Sequence, residues 1–213
     1  MLFLLILFLY PDTLISFDFF HILKDNQRAD SSWGKIFSGD YLVYISVEKP
    51  IKQVIYFSGD TMTVNYPDSK RAFMIKSGIT FNLQGPGGIF GKVGYNLKKS
   101  GFMFLKREVN GIQKIETWVH PKTKLKIIYT LEGERIIGVT SLSEKGDTLI
   151  NVTYADYQRV KDKDLPMTLK ISTPDYEEIY KLSNPTLVPF NDSLRSYLEV
   201  GKDTKIEYKG FEK

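Results

Sequence analysis

Apolar and polar positions alternate along most of this chain with the two-residue period of a strand that has one covered and one solvated face. The clearest case is 61–66, where Met62, Val64 and Tyr66 fall on one face and Thr61, Thr63 and Asn65 on the other. Stretches at 33–47, 52–57 and 71–76 also read as strands. Within the first of these, 41–47 (YLVYISV) is dense in the aromatic and β-branched residues that strands favour. Pro50, Ser58-Gly59-Asp60 and Pro67-Asp68-Ser69 punctuate them as turns. Beyond residue 100 the pattern resumes at 101–109, 114–119, 124–130, 134–142, 149–160, 166–173, 177–183 and 204–208. Asn110-Gly111, a strong hairpin signal, separates the first two of these. His120-Pro121-Lys122-Thr123, Glu132-Gly133 and 143–147 separate the next three pairs.

Three segments depart from this alternation. Residues 1–10, MLFLLILFLY, form an unbroken apolar run, too short for a membrane span of about 20 residues. Its length suits the apolar centre of an export signal, with a cut expected near Ser16. Residues 17–28 carry apolar side chains at 19, 20, 22 and 23, which is helical spacing, and Ser16 or Asp18 would cap that helix. Residues 82–100, NLQGPGGIFGKVGYNLKKS, scatter Gly85, Gly87, Gly88, Gly91 and Gly94 among Ile89, Phe90 and Val93. No phosphate-loop motif completes them; a mobile loop or a short helix over about 88–97 fits the stretch, and 85–94 reads best as a flexible flap.

Ten or more strands joined by short turns predict a mainly β protein. The expected architecture is one large, curved, antiparallel sheet or incomplete β-barrel covered by short helices. No linker or internal repeat divides 17–213, which reads as a single domain after an export segment at 1–16.

Composition narrows the chemistry. The chain has no cysteine, so thiolate metal sites, Fe–S clusters, cysteine nucleophiles and a lipidated cysteine are all excluded. Its 2 histidines, His21 and His120, argue against a multi-histidine metal site. His21 reads as a surface or half-buried residue and His120 as part of a turn. Glu177-Glu178 and Asp162/Asp164 lie in polar stretches and read as solvated. Asn151-Val152-Thr153 matches a glycosylation acceptor, but within a strand it reads as coincidence. No hydrolase, zinc-protease or calcium-loop motif is present, so neither catalytic residues nor a cofactor are expected. A net charge of +4, spread over mixed signs, gives no nucleic-acid patch.

The apolar supply is the unusual feature: 14 Phe and 13 Tyr exceed the need of one covered face. The surplus suggests a lipid-accepting cavity, since such pockets are mostly apolar. Its candidate wall is Tyr44, Tyr56, Met62, Val64, Tyr66, Phe73, Phe90, Phe102, Phe104, Trp118, Ile127, Tyr129 and Ile137.

The stretch 58–75, SGDTMTVNYPDSKRAFMI, resembles the characteristic strand–Gly turn–strand–Tyr-x-Pro–strand segment of periplasmic lipoprotein carriers of the LolA family. Trp118-Val119-His120-Pro121-Lys122-Thr123 through Ile137 is similar to a later part of that family, and 152–157 and 184–208 to its closing strands. The early strand departs from the pattern: 41–50 reads YLVYISVEKP, without the arginine that the family is thought to use to hold its empty cavity closed. The resemblance implies an incomplete barrel lidded by helices, whose interior shields the acyl chains of lipoproteins between inner and outer membranes. It further implies a monomeric, non-enzymatic periplasmic protein, loaded by an inner-membrane lipoprotein-releasing transporter and unloaded at an outer-membrane receptor. A lipid- or lipoprotein-sensing regulatory module of the same fold, or an enzyme acting on an apolar substrate, are the alternatives.

Overall fold

The computed structural model describes residues 13–39, 43–58, 61–76, 97–98, 100–160 and 163–210. Early in the chain come β1 (Thr13–Asp25), β2 (Ala29–Ser38), β3 (Val43–Lys49), β4 (Gln53–Ser58), β5 (Thr61–Tyr66) and β6 (Arg71–Lys76). Next come β7 (Met103–Asn110), β8 (Gln113–Val119), β9 (Lys126–Glu132), β10 (Arg135–Leu142), β11 (Thr148–Val160), β12 (Lys163–Ser172) and β13 (Tyr176–Pro189). A short helix, α1 (Asp192–Leu198), leads into β14 (Lys205–Gly210). All 14 strands join one sheet in the order β14-β6-β5-β4-β3-β2-β1-β13-β12-β11-β10-β9-β8-β7. The sheet is large and open: among the described residues its outer strands β14 and β7 do not pair with each other.

The connections follow from local chemistry. Gly111 (φ 61°) and Gly133 (φ 62°) occupy the left-handed region in the β7–β8 and β9–β10 turns, where a side chain would be strained. His120 shapes the β8–β9 turn: its carbonyl accepts from Lys124 N at 2.8 Å, and its Nδ1 accepts from Thr123 N at 3.2 Å. Asn191 caps α1 by accepting from Leu194 N at 3.0 Å.

Four expectations are corrected. The helix expected over 17–28 is instead the strand β1, paired along nearly its whole length with β2 on one side and β13 on the other. A strand covered on both faces lacks clean alternation, so its apolar run imitates helical spacing. Phe19 is buried while Phe20 is 41% exposed, which helical clustering of 19, 20, 22 and 23 does not allow for. The run 33–47 divides into β2 and β3, which pair antiparallel. The sheet is not wholly antiparallel, since β14 runs parallel to β6. Finally, a covering helix is formed by 192–198 and not by 17–28.

Candidate functional site

Cross-strand registers define two faces. One residue row runs Phe17, Ile36, Ile45, Ile55, Val64 and Phe73 from β1 across to β6. This first face continues from Phe19 to Leu182 on β13, and from Tyr180 through Leu169 to Tyr154. Phe17, Phe19, Ile36, Leu182, Leu169 and Tyr154 of this face form a large buried cluster with Val43, Val47, Leu165 and Met167. A second buried cluster, Leu97, Trp118, Tyr129 and Leu131, lies towards the β7 edge. Ile136 and Val139 pack against both clusters, so the two form one continuous apolar surface.

The second face is closed differently. Leu14, Phe37, Tyr44, Val54, Phe190 and Leu198 bury one another there, with Tyr56 and Leu194 alongside. Leu194 and Leu198 belong to α1, and Tyr197 of the same helix hydrogen-bonds Ser46 at 2.7 Å. Thr63 (1% exposed) and Asn65 (3%) are buried on this side, because their cross-strand partners Tyr56 and Val54 join the α1 cluster.

Several polar groups interrupt the first face. His21 on β1 lies opposite both Ser32 and Tyr180. Its Nδ1 is 3.1 Å from Ser32 Oγ, its Nε2 is 3.2 Å from Glu178 Oε2, and its ring stacks on Tyr180 at 4.2 Å. The Tyr180 hydroxyl donates to the same carboxylate oxygen at 2.8 Å. The hydrogen bond to His21 is the main reason that the Glu178 carboxyl sits below its ordinary range, with burial opposing it. Burial, followed by the Glu178 charge, pushes the Tyr180 phenol well above its ordinary range. Near the other end, buried Glu116 accepts from Arg107 Nε at 2.9 Å and Nη2 at 2.5 Å. Burial also pushes the Tyr157 phenol up to about 12. That hydroxyl donates to the Ile136 carbonyl oxygen.

The structure sorts the residues expected to line a cavity. Met62, Val64, Tyr66 and Phe73 lie on the first face, half-buried, with the Tyr66 and Phe73 rings edge-on at 5.9 Å. Trp118, Tyr129 and Ile127 share that face and cluster there with Phe102, and Phe104 meets Trp118 edge-on at 5.3 Å. Ile137 occupies a register shift in β10, and its neighbours Ile136 and Val139 supply the packing. Tyr44 and Tyr56 belong to the second face, beside α1, and not with the others. Phe90 and the flap glycines Gly85, Gly87, Gly88, Gly91 and Gly94 lie outside the described residues.

Sequence reasoning missed the centre of the first face. Phe17 and Phe19 were hidden by the helical reading of β1, although the alternation of Leu165, Met167 and Leu169 in β12 was there to be read. The acidic stretches read as solvated are only partly so. Glu178 is half-buried against His21, and Asp164 accepts from Arg135 Nε at 3.0 Å and Arg159 Nη1 at 3.3 Å. Asp162 lies outside the described residues. Among the described residues no group of acidic and histidine side chains is arranged to hold a metal ion, and no helix is long and apolar enough to cross a membrane.

The open 14-strand sheet with its short helical cover is LolA-like in fold. Solved structures carry the comparison. A domain assigned to outer membrane lipoprotein sorting from Vibrio parahaemolyticus superposes with a TM-score of 0.59 at 16% identity, covering 87% of this chain and 91% of that one. A LolA superfamily protein from Nitrosomonas europaea gives 0.57 at 13% identity, covering 91% and 92%. A DUF1329 family protein from Desulfovibrio piger gives 0.60 at 11% identity, covering 88% and 90%. No family model matches the sequence, and no curated protein matches it.

Proposed function

We propose that this protein is a periplasmic carrier that holds the acyl chains of lipoproteins against the first face of its sheet and moves them from the inner to the outer membrane. The observation that carries this reading is the continuity of that face, on which two buried apolar clusters are joined through Ile136 and Val139. Each methylene withdrawn from water contributes about 0.8 kcal/mol, so enclosing part of an acyl chain offsets much of the cost of leaving a membrane. The neighbours support the same direction, one being assigned to outer membrane lipoprotein sorting. On this reading the chain is exported by its apolar N-terminal run, works as a monomer, and is loaded by an inner-membrane lipoprotein-releasing transporter. An outer-membrane receptor would accept the cargo. It performs no catalysis.

The test is native mass spectrometry of protein purified from its own cells, followed by an assay of lipoprotein release from inner-membrane spheroplasts. Acyl-bearing cargo on the protein, together with release of lipoprotein into the soluble fraction, is the expected result. A protein free of lipid that releases no lipoprotein would overturn the reading.

A further inference from the structure

Two hydrogen-bond donors are stranded inside the Leu97–Trp118–Tyr129–Leu131 cluster. Tyr129 is 0% exposed and Trp118 5% exposed, yet among the described residues neither the Tyr129 hydroxyl nor Trp118 Nε1 has a hydrogen-bond partner. Such groups are rare in folded proteins, because a buried polar atom without a partner forfeits its hydration with nothing in return. These two are near neighbours on one face: Trp118 stands opposite Ile127, and Tyr129 follows two residues later opposite Glu116. Glu116, opposite Tyr129, accepts both Arg107 hydrogen bonds on Oε1 and makes none with the Tyr129 hydroxyl. The rest of the cluster is aliphatic and aromatic.

The chemistry of the missing partner follows. An indole N–H can only donate, and a buried phenol that keeps its proton donates as well, so the partner is an acceptor. Burial raises the Tyr129 pKa, and the Glu116 and Tyr154 groups push it the same way, which keeps the proton in place. Apolar walls disfavour a carboxylate or phosphate, whose desolvation would go unrewarded. A neutral carbonyl oxygen attached to hydrocarbon satisfies every condition.

We propose that Trp118 Nε1 and the Tyr129 hydroxyl bind the carbonyl oxygens of acyl ester or amide groups, fixing how deeply a lipid chain enters against the first face. The proposal rests on the carrier reading above and adds the chemical group that the site recognises. Leu97 is packed against these residues, so a bound chain displaces it.

The test uses the full chain and two probes, dipalmitoylglycerol and its dihexadecyl ether counterpart, each titrated by displacement of bound anilinonaphthalene sulfonate. The ether matches the ester in chain length but lacks carbonyls. The parent protein is expected to bind the ester about five- to tenfold more tightly, the scale of one or two added hydrogen bonds. Tyr129→Phe and Trp118→Phe should each remove most of that preference, read as the ratio of ester to ether affinity within each variant. Equal binding of ester and ether by the parent, or an undiminished preference in both variants, would overturn the carbonyl site and leave the carrier reading standing. Failure to bind either probe would overturn both. The parent comparison decides even where a variant fails to fold.

Discussion

His21 and Glu178, separated by 157 positions in sequence, meet at 3.2 Å where β1 lies beside β13. The contact sits on the apolar face, where a carboxylate needs partners to remain charged. His21 and Tyr180 supply them.

That arrangement sets a pH dependence. The Glu178 carboxyl titrates below its ordinary value of 4.5 in the folded protein, chiefly through the hydrogen bond from His21. A depressed carboxyl stabilises the fold above its unfolded pKa, and that contribution is lost as pH falls through the lower, folded pKa. Glu178→Gln should therefore cost about 1–2 kcal/mol at neutral pH. The difference from the parent should shrink as the pH is taken below 4.5. Urea unfolding of both proteins at several pH values checks this; a constant difference would refute it.

The start of β1 is built into the protein. Leu14 is fully buried beside Phe37, Tyr44 and Leu198, and 13–16 pair with 186–189 on β13. A chain beginning at residue 13 keeps this packing and serves as the reference. One beginning at residue 17 should lose at least about 2–5 kcal/mol, the usual cost of deleting a buried leucine. Guanidinium unfolding of the two truncations separates these outcomes.

Gly34 is demanded by packing. A Cβ built on it would lie 1.9 Å from the Ser46 carbonyl oxygen of β3, next to the register shift between Trp33 and Gly34. Backbone cannot swing aside as a side chain can, so Gly34→Ala should destabilise by at least about 2 kcal/mol. Thermal unfolding measures it. Gly111→Ala makes a useful control, because its Cβ meets nothing within 4 Å and only the left-handed φ is strained.

Much of this was readable from residue order. Alternation located β5 and β6 at their observed limits, and Asn110-Gly111 and Glu132-Gly133 marked hairpins whose glycines do take positive φ. The many strands, short turns and missing cysteine were enough for an open, curved sheet without thiol chemistry. The period of two also divided β5 correctly into Met62, Val64 and Tyr66 against Thr61, Thr63 and Asn65.

What alternation does not carry is which face another part of the chain will cover. Thr63 and Asn65 are the most deeply buried members of β5 because Val54 and Tyr56 beside them pack with α1, an element more than 120 positions later. β1 became a strand for a related reason. Its hydrogen bonds are supplied by β2 and by the distant β13, a tertiary choice that overrides local spacing. The pairing of His21 with Glu178, the parallel docking of β14 on β6, and the stranded donors of Trp118 and Tyr129 likewise depend on strand registers set by the whole sheet. Outside β1, local sequence determined where most of the strands and turns fall. Burial, which depends on partners far along the chain, decided which of those surfaces became the candidate site.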